Sequence, residues 1–289
     1  MEFCRKQGIQ NTADFIQNNV QIESFFFGNT KLKQESSDTV TAGFVVRPPN
    51  VETLQLSVDY WHIKVDDFVN QLEGGAQGII NACFASGDLA SPACFSQQLN
   101  APLIFRDASG ELKANIPLVN SSNLKTSGVD LQLDYGIPFG FAGGRERLNV
   151  NLLLSYLKSY QLDGFEYAGS AGAYNILGSF PRYKANARFT YGWGPVDLTW
   201  NVQYLDAMLN QGLLPGNNDP GPYKSPGVRV YHDLSGTWHA ADKVDLALGV
   251  RNLTNRKPPQ FDNNIDQNTD PSTYDVLGRA YFGSFRVKF

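Results

Sequence analysis

Along this chain, apolar and polar positions alternate with a period of two in nine separate stretches, and that period predicts strands with one apolar face and one polar face. The first two place Val40, Ala42, Phe44 and Val46 against Thr41 and Gly43, then Leu54, Leu56, Val58 and Tyr60 against Gln55, Ser57 and Asp59. At Trp61 the apolar phase switches to Trp61, Ile63 and Val65, which predicts a bulge there or a strand leaving its apolar surroundings. The third and fourth carry Val129 to Tyr135 and Leu148 to Tyr156, with Asp130, Gln132, Asp134, Asn149, Asn151 and Ser155 between. Ala185 to Trp193 and Val196 to Tyr204 supply the fifth and sixth, Val228 to Trp238 and Val244 to Val250 the seventh and eighth. The last runs through Tyr281, Gly283, Phe285 and Val287 to Phe289, and no amphipathic helix competes with any of them.

The connections alternate as well. Tight turns stand at RPPNVE, GIPFGFAGGRE, WGP and HAAD, while the other connections run from about 67 to 124, 161 to 183, 209 to 227 and 253 to 277. Segregating long and short connections to opposite ends is the habit of outer-membrane barrels, whose turns are periplasmic and whose loops are extracellular. Tyr60, Trp61, Tyr156, Tyr191, Trp193, Trp200 and Trp238 fall toward strand ends, as interfacial aromatic girdles do. The fold class predicted is all-β: an antiparallel transmembrane barrel. Nine strands leave the first and last parallel, so the alternation predicts part of a larger wall, because open strand edges in lipid strand backbone polar groups without partners.

Composition removes several alternatives. A hydrophobic share of 42% with 18% charged residues argues against disorder, and no apolar run is long enough for a helical span. The formal charge of -4 is spread without a basic block, so no nucleic-acid partner is expected. Residues 1–20 lack the apolar core of a secretory signal, which leaves a chain retained in the cytoplasm or one that starts upstream; the strand pattern favours the second.

Chemistry is sparse. Cys83 and Cys94 bound a Gly/Ala/Ser-rich segment that a disulfide could clip, with free thiols or a zinc site as the other readings; Cys4 is left odd. His62, His232 and His239 share no ligand-like spacing with acids or cysteines, so no catalytic residue, metal or cofactor is expected and the chain reads as a non-enzyme. Asp262, Asn264 and Asp266 alternate like the start of a calcium loop, but the glycine and glutamate that complete one are missing, which favours a solvated loop.

Five segments in order resemble the TonB-dependent outer-membrane receptors: GNTKLKQESSDTVTAGF (28–44), LSVDYWHIKVDDFV (56–69), FRDASGELKANIPLVNSSNLKTSGVDLQLDY (105–135), GVRNLTNRKPP (249–259) and STYDVLGRAYFGSFRVKF (272–289). The resemblance implies a plugged barrel of about 22 strands. On that basis residues 1–39 are a remnant of an extracellular loop and 40–289 the C-terminal part of the barrel, with the plug, TonB box and signal peptide lying outside the chain, so that the chain alone is expected not to transport. The implied activity is TonB-energised uptake of a scarce nutrient, a ferric siderophore, cobalamin or a saccharide. A passive porin-like barrel is the alternative, and an outer-membrane enzyme a third reading that lacks a constellation. Implied partners are outer-membrane lipid, the TonB–ExbB–ExbD complex, a small-molecule substrate, and a barrel-assembly machinery that reads Tyr281, Phe285, Val287 and Phe289. Ligand contacts are expected from the long loops, with Phe165, Tyr167, Tyr174 and Tyr223 as the rings that stack on a ligand.

Overall fold

A computed structural model describes residues 5–9, 22–139, 146–172, 178–214, 224–241, 243–261 and 268–287. Cys4, Tyr174, Tyr223, Phe289 and the acidic run from Asp262 to Asp266 lie outside them. The chain divides into two compact units, one of residues 1–37 with 65–124 and one of 38–64 with 125–289. Among the described residues no helix is long and apolar enough to cross a membrane, which says nothing of strands.

Nine long strands form one sheet: β1 (Ser36–Val46), β2 (Leu54–Gln71), β3 (Leu112–Phe139), β4 (Glu146–Leu162), β5 (Tyr183–Trp193), β6 (Val196–Leu205), β7 (Arg229–Ala241), β8 (Val244–Arg251) and β9 (Ala280–Val287). Each neighbours the next in sequence, so the sheet is a simple meander whose path ends at β1 and β9. All nine alternating stretches are found as strands.

From β4 to β9 the register brings the apolar positions into rows. One row is Val150, Phe189, Trp200, Leu234, Val250 and Tyr281; the next is Leu148, Tyr191, Leu198, Gly236, Leu248 and Gly283. The opposite face carries Asn151, Arg188, Asn201 and Asp233 in one row, with Arg188 Nε donating to Asn201 at 2.9 Å. A one-residue slip would exchange these faces, so every strand pair is pinned by the same pattern. The apolar face is the more exposed: Trp200 is 43% accessible and Leu248 73%, while Leu205 and Tyr231 on the polar face are buried. A protein folded for water does the reverse.

Aromatic residues close this apolar band at both ends. Trp193 and Trp238 share a row with Val196 near the short turns, and Tyr156 stacks on Tyr183 at 4.9 Å near the long loops. From Tyr183 to Trp193 the 11 residues of β5 span about 34 Å, or about 25 Å of height at a tilt of about 45°. That is the height of an apolar band in an outer membrane.

β2 continues unbroken through Trp61 to Gln71, and the one residue of left-handed φ inside it is Asp67, at 54°. The phase switch at Trp61 thus falls inside one continuous strand. Its indole lies over Gly128, so this aromatic belongs to the polar face and not to an interfacial girdle.

The first unit has its own core, built from Ile79, Cys83, Cys94, Leu103, Ile104, Ala114 and Ile116. Strand Glu23–Phe27 runs parallel to the start of β3, Glu23 opposite Lys113, and strand Ile104–Arg106 runs antiparallel to it. Helix α1 (Ala76–Ser86) was not foreseen in a stretch read as loop. An uncharged helix of 11 residues is marginal by itself; burial of Ile79 and Cys83 holds it, and Gly87, at φ 65°, ends it. Cys83 is bonded to Cys94 with their Cα atoms 4.7 Å apart.

Candidate functional site

The polar face carries a cavity of about 400 Å³ near the long-loop end, within the second unit. Its wall is the sheet itself. Ser155, Lys184 and Leu205 stand in one register row on β4, β5 and β6, Asp130 comes from β3 and Trp61 from β2. Ser179, Phe180, Pro181 and Thr273 reach it from the loops. Asp130 shares its face with Asp134, which accepts from Asn151 Nδ2 at 2.5 Å. Gly128 makes room for Trp61: a Cβ there would stand 2.5 Å from the indole and 2.6 Å from the Tyr156 carbonyl oxygen.

The long connections above these strands pack into a shared cap. Ala171, Leu205, Met208, Tyr231, Phe261 and Tyr274 form its apolar centre. Backbone pairing of Ser170–Gly172 with Gly178–Phe180 and with Leu209–Asn210 ties two loops together, and Asn210 Nδ2 donates to the Phe261 carbonyl at 2.7 Å to tie in a third. Burial pushes the Tyr274 phenol well above its ordinary range. Burial would also raise the Glu166 carboxyl, but donors from Ser159, the Tyr160 and Ala168 amides and Gln161 outweigh it and hold Glu166 below its usual value.

The aromatic residues expected to meet a ligand are placed differently by this packing. Tyr167 is buried and its ring lies 6.4 Å from that of Phe180, so it is occupied within the cap, while Phe165 remains 56% exposed. Tyr174 and Tyr223 lie outside the described residues. Tyr281, Phe285 and Val287 all sit on the apolar face of β9, in register with Val250, Leu246 and Val244.

Two further clusters escaped the sequence reading. At the start of the last long loop Asn252, 2% exposed and at φ 48°, accepts from the Arg256 amide and donates to the Arg256 carbonyl and the Asp275 carboxylate. Its own amide donates to Asp233 on β7, so one side chain and its backbone clasp both ends of the loop to the wall. At the short-turn end His239 lies between Asp245, 2.7 Å from Nδ1, and Asp197, 3.2 Å from Nε2. Asp197 also accepts from Arg147 at 2.6 Å. Among the described residues no group of three or more His, Cys, Asp or Glu is placed to hold a metal.

The profile described as TonB dependent receptor-like, beta-barrel matches residues 7–253. The chain belongs to the TonB-dependent receptor family. Solved structures of this family's architecture superpose on most of the chain. A siderophore receptor of Acinetobacter baumannii is 16% identical, with a TM-score of 0.56 over 91% of this chain and 33% of its own. A ferric enterobactin receptor variant of Pseudomonas aeruginosa, solved with enterobactin, is 16% identical, with a TM-score of 0.59 over 91% and 33%. An outer-membrane transporter of Escherichia coli is 10% identical, with a TM-score of 0.56 over 92% and 34%. At such identities the likeness shows the fold. The chain spans about a third of the length of these proteins, and no curated protein matches it.

Membership in this family gives the two faces their meaning. In outer-membrane barrels the apolar rows of the wall face lipid and the polar rows face the lumen. The family and its solved relatives are receptors and transporters.

Proposed function

We propose that this chain forms a section of the barrel wall of a bacterial outer-membrane receptor that imports a scarce small molecule with energy delivered by TonB. The observation that carries the reading is the inverted burial of the sheet: large apolar side chains in register across six strands on the exposed face, with polar residues and a cavity on the other. Such a surface suits hydrocarbon, and its height of about 25 Å fits the apolar thickness of an outer membrane. Short turns then face the periplasm and the long loops with their cap face outward. Among the described residues the path ends at β1 and β9, and in lipid such edges need bonded neighbours, a role that further strands of the same wall would fill.

The relatives named for siderophore, enterobactin or iron uptake support a nutrient of that kind. The barrel-assembly machinery as reader of Tyr281, Phe285 and Val287, TonB–ExbB–ExbD as energy source and Phe165 as a ligand contact belong to the same proposal. The test is made in the cells that express the protein. Antibody to the long loops should label intact cells, the protein should fractionate with outer membrane, and deletion of its gene should abolish uptake of one nutrient that a protonophore also blocks. Uptake that survives collapse of the proton gradient would instead establish a passive pore.

A further inference from the structure

We propose that His239 is a proton-operated clasp: as an imidazolium it ties β6, β7 and β8 together at the short-turn end of the sheet, and it releases them when it loses its proton. The inference goes beyond the receptor reading and does not depend on it, since it concerns how one end of the sheet is held.

Position comes first. Trp193, Val196 and Trp238 form the row that closes the apolar band, and His239 stands one residue farther toward the turn, opposite Asp245 on β8. Its amide donates to the Pro195 carbonyl at 2.8 Å, which fixes its backbone against the turn between β5 and β6. The ring is partly exposed, and the carboxylates on either side of it, Asp197 and Asp245, are less so. Charged groups converge on it from several strands. Asp197 comes from β6 and Asp245 from β8. Arg147 on β4 bonds Asp197 at 2.6 Å across Gly192 on β5, which adds no side chain. Arg286 on β9 stands in register with Asp245, and Lys243 lies in the turn between β7 and β8.

The donors and acceptors then require a charge. Both ring nitrogens face a carboxylate oxygen, Nδ1 that of Asp245 at 2.7 Å and Nε2 that of Asp197 at 3.2 Å. An ionised carboxylate only accepts, and a neutral imidazole has one N–H to give, so both contacts are hydrogen bonds only in the imidazolium. These bonds, that to Asp245 first, raise the imidazole above its ordinary value of 6.5, and partial loss of water, which acts the other way, does not cancel them. Once the proton leaves, one ring nitrogen turns its lone pair toward a carboxylate, and Asp197 and Asp245 lose the cation between them. Arg147 and Arg286 keep their charge throughout, so what opens is the link through the ring. A group raised in the folded state contributes fully below its unfolded value and loses that contribution as pH climbs through the folded one. The clasp is therefore closed in mild acid and open in base.

The experiment uses the whole assembled protein, labelled with nitrogen-15 histidine and taken in detergent from the envelope of its own cells. The His239 signals, assigned by their absence in His239→Gln, should show both ring nitrogens protonated at pH 6 and a midpoint above 6.5, which Asp197→Asn should bring down. Amide exchange at Val196 and Val244, corrected for intrinsic pH dependence, should rise about two- to fivefold from about pH 6 to 9 in the parent and stay flat in His239→Gln. Asp197→Asn supplies an amide that donates to the neutral ring while its oxygen still accepts from Arg147, so it should keep this end closed across the same range. Slow exchange at Phe189 and Trp200, in the middle of the sheet, shows that each variant is folded. A midpoint at or below 6.5, a single protonated nitrogen at pH 6, or a rise in exchange that His239→Gln shares overturns the clasp. None of these results touches the receptor reading, which fails instead if the protein is absent from the outer-membrane fraction.

Discussion

Arg147 and Asp197 lie on strands that are not neighbours, yet their side chains meet at 2.6 Å, across the glycine at position 192 on the strand between them. A Cβ at Gly192 would stand 2.6 Å from Arg147 Cζ and 2.8 Å from Asp197 Oδ1. Gly192→Ala should therefore force the pair apart, the flexible end of Arg147 swinging aside, and disturb His239, which also leans on Asp197, at a cost of about 1 kcal/mol or less. Arg147→Met, which removes the same half-exposed partner, should cost about as much. Urea unfolding of the assembled barrel in detergent compares them; a loss in Gly192→Ala several-fold that of Arg147→Met would contradict this account.

Asn252 makes the case for a buried amide as a loop anchor. Alanine there would leave the Arg256 amide and its carbonyl without the contacts they have and keep the backbone at φ 48°, a conformation alanine adopts poorly. A loss of about 2–4 kcal/mol is expected, felt first as opening of the loop from 252 to 279. Limited proteolysis should then cut within that loop in Asn252→Ala but not in the parent. Asn252→Asp should be similarly cut, since it turns the donor facing Asp275 into a second carboxylate.

The disulfide stabilises the first unit through the unfolded chain. Closing the 11-residue separation between Cys83 and Cys94 is worth about 3 kcal/mol on the chain-entropy account. Cys94→Ser, or reduction, should loosen α1 and expose Ile79 and Ile80 while leaving the register of β4 to β9 unchanged. Hydrogen exchange resolved by peptide checks this: faster exchange confined to about residues 72–106 is expected, and equal acceleration in β5 and β6 would refute it.

How much of this was legible follows from what each residue faces. The strands were readable because each face of the sheet has one kind of side chain along its whole length, so Val150, Phe189, Trp200 and Leu234 obey one period. The segment from 67 to 124 was not, because its surroundings are protein on more than one side. Ala114, Asn115, Ile116 and Pro117 are consecutive and all buried, which erases alternation from the start of β3, and α1 is stapled by a bond that periodicity does not register. The cavity was hidden for a related reason. Asp130, Ser155 and Lys184 looked like ordinary lumenal positions until register set two of them side by side, and Trp61 looked interfacial until Gly128 was found beneath it. His239 and Asp197 are 42 residues apart in sequence, and no spacing rule joins them.

Asp107 should give the first unit a response to acid. Its carboxyl is held at about 2, below the ordinary 3.8, chiefly by the Ser109 hydroxyl, against a desolvation cost, with the Lys113 ammonium and the Glu111 and Ser109 amides adding to it. A depressed carboxylate stabilises the fold above its unfolded value and loses that contribution as pH falls through the folded one, so the turn at 107–111 should loosen between about pH 4 and 2. Amide exchange at Ser109 and Glu111, corrected for intrinsic pH dependence, should rise over that window and be pH-independent in Asp107→Asn.

The lipid-facing assignment has the sharpest test at Leu248, in the middle of β8 and 73% exposed, in register with Gly236 on one side and Gly283 on the other. If that face meets hydrocarbon, Leu248→Arg should cost about 2–4 kcal/mol, the depth-dependent penalty of an arginine near the bilayer midplane. Ala247→Arg, one residue away on the lumenal face, should cost far less, because a guanidinium there remains in water. Were the face wetted instead, Leu248→Arg would be nearly neutral, as an exposed surface substitution usually is. Folding the two variants into lipid vesicles and comparing their urea midpoints separates these outcomes: a large loss for Leu248→Arg alone supports a membrane wall, and equal small losses would remove the basis for placing these strands in lipid.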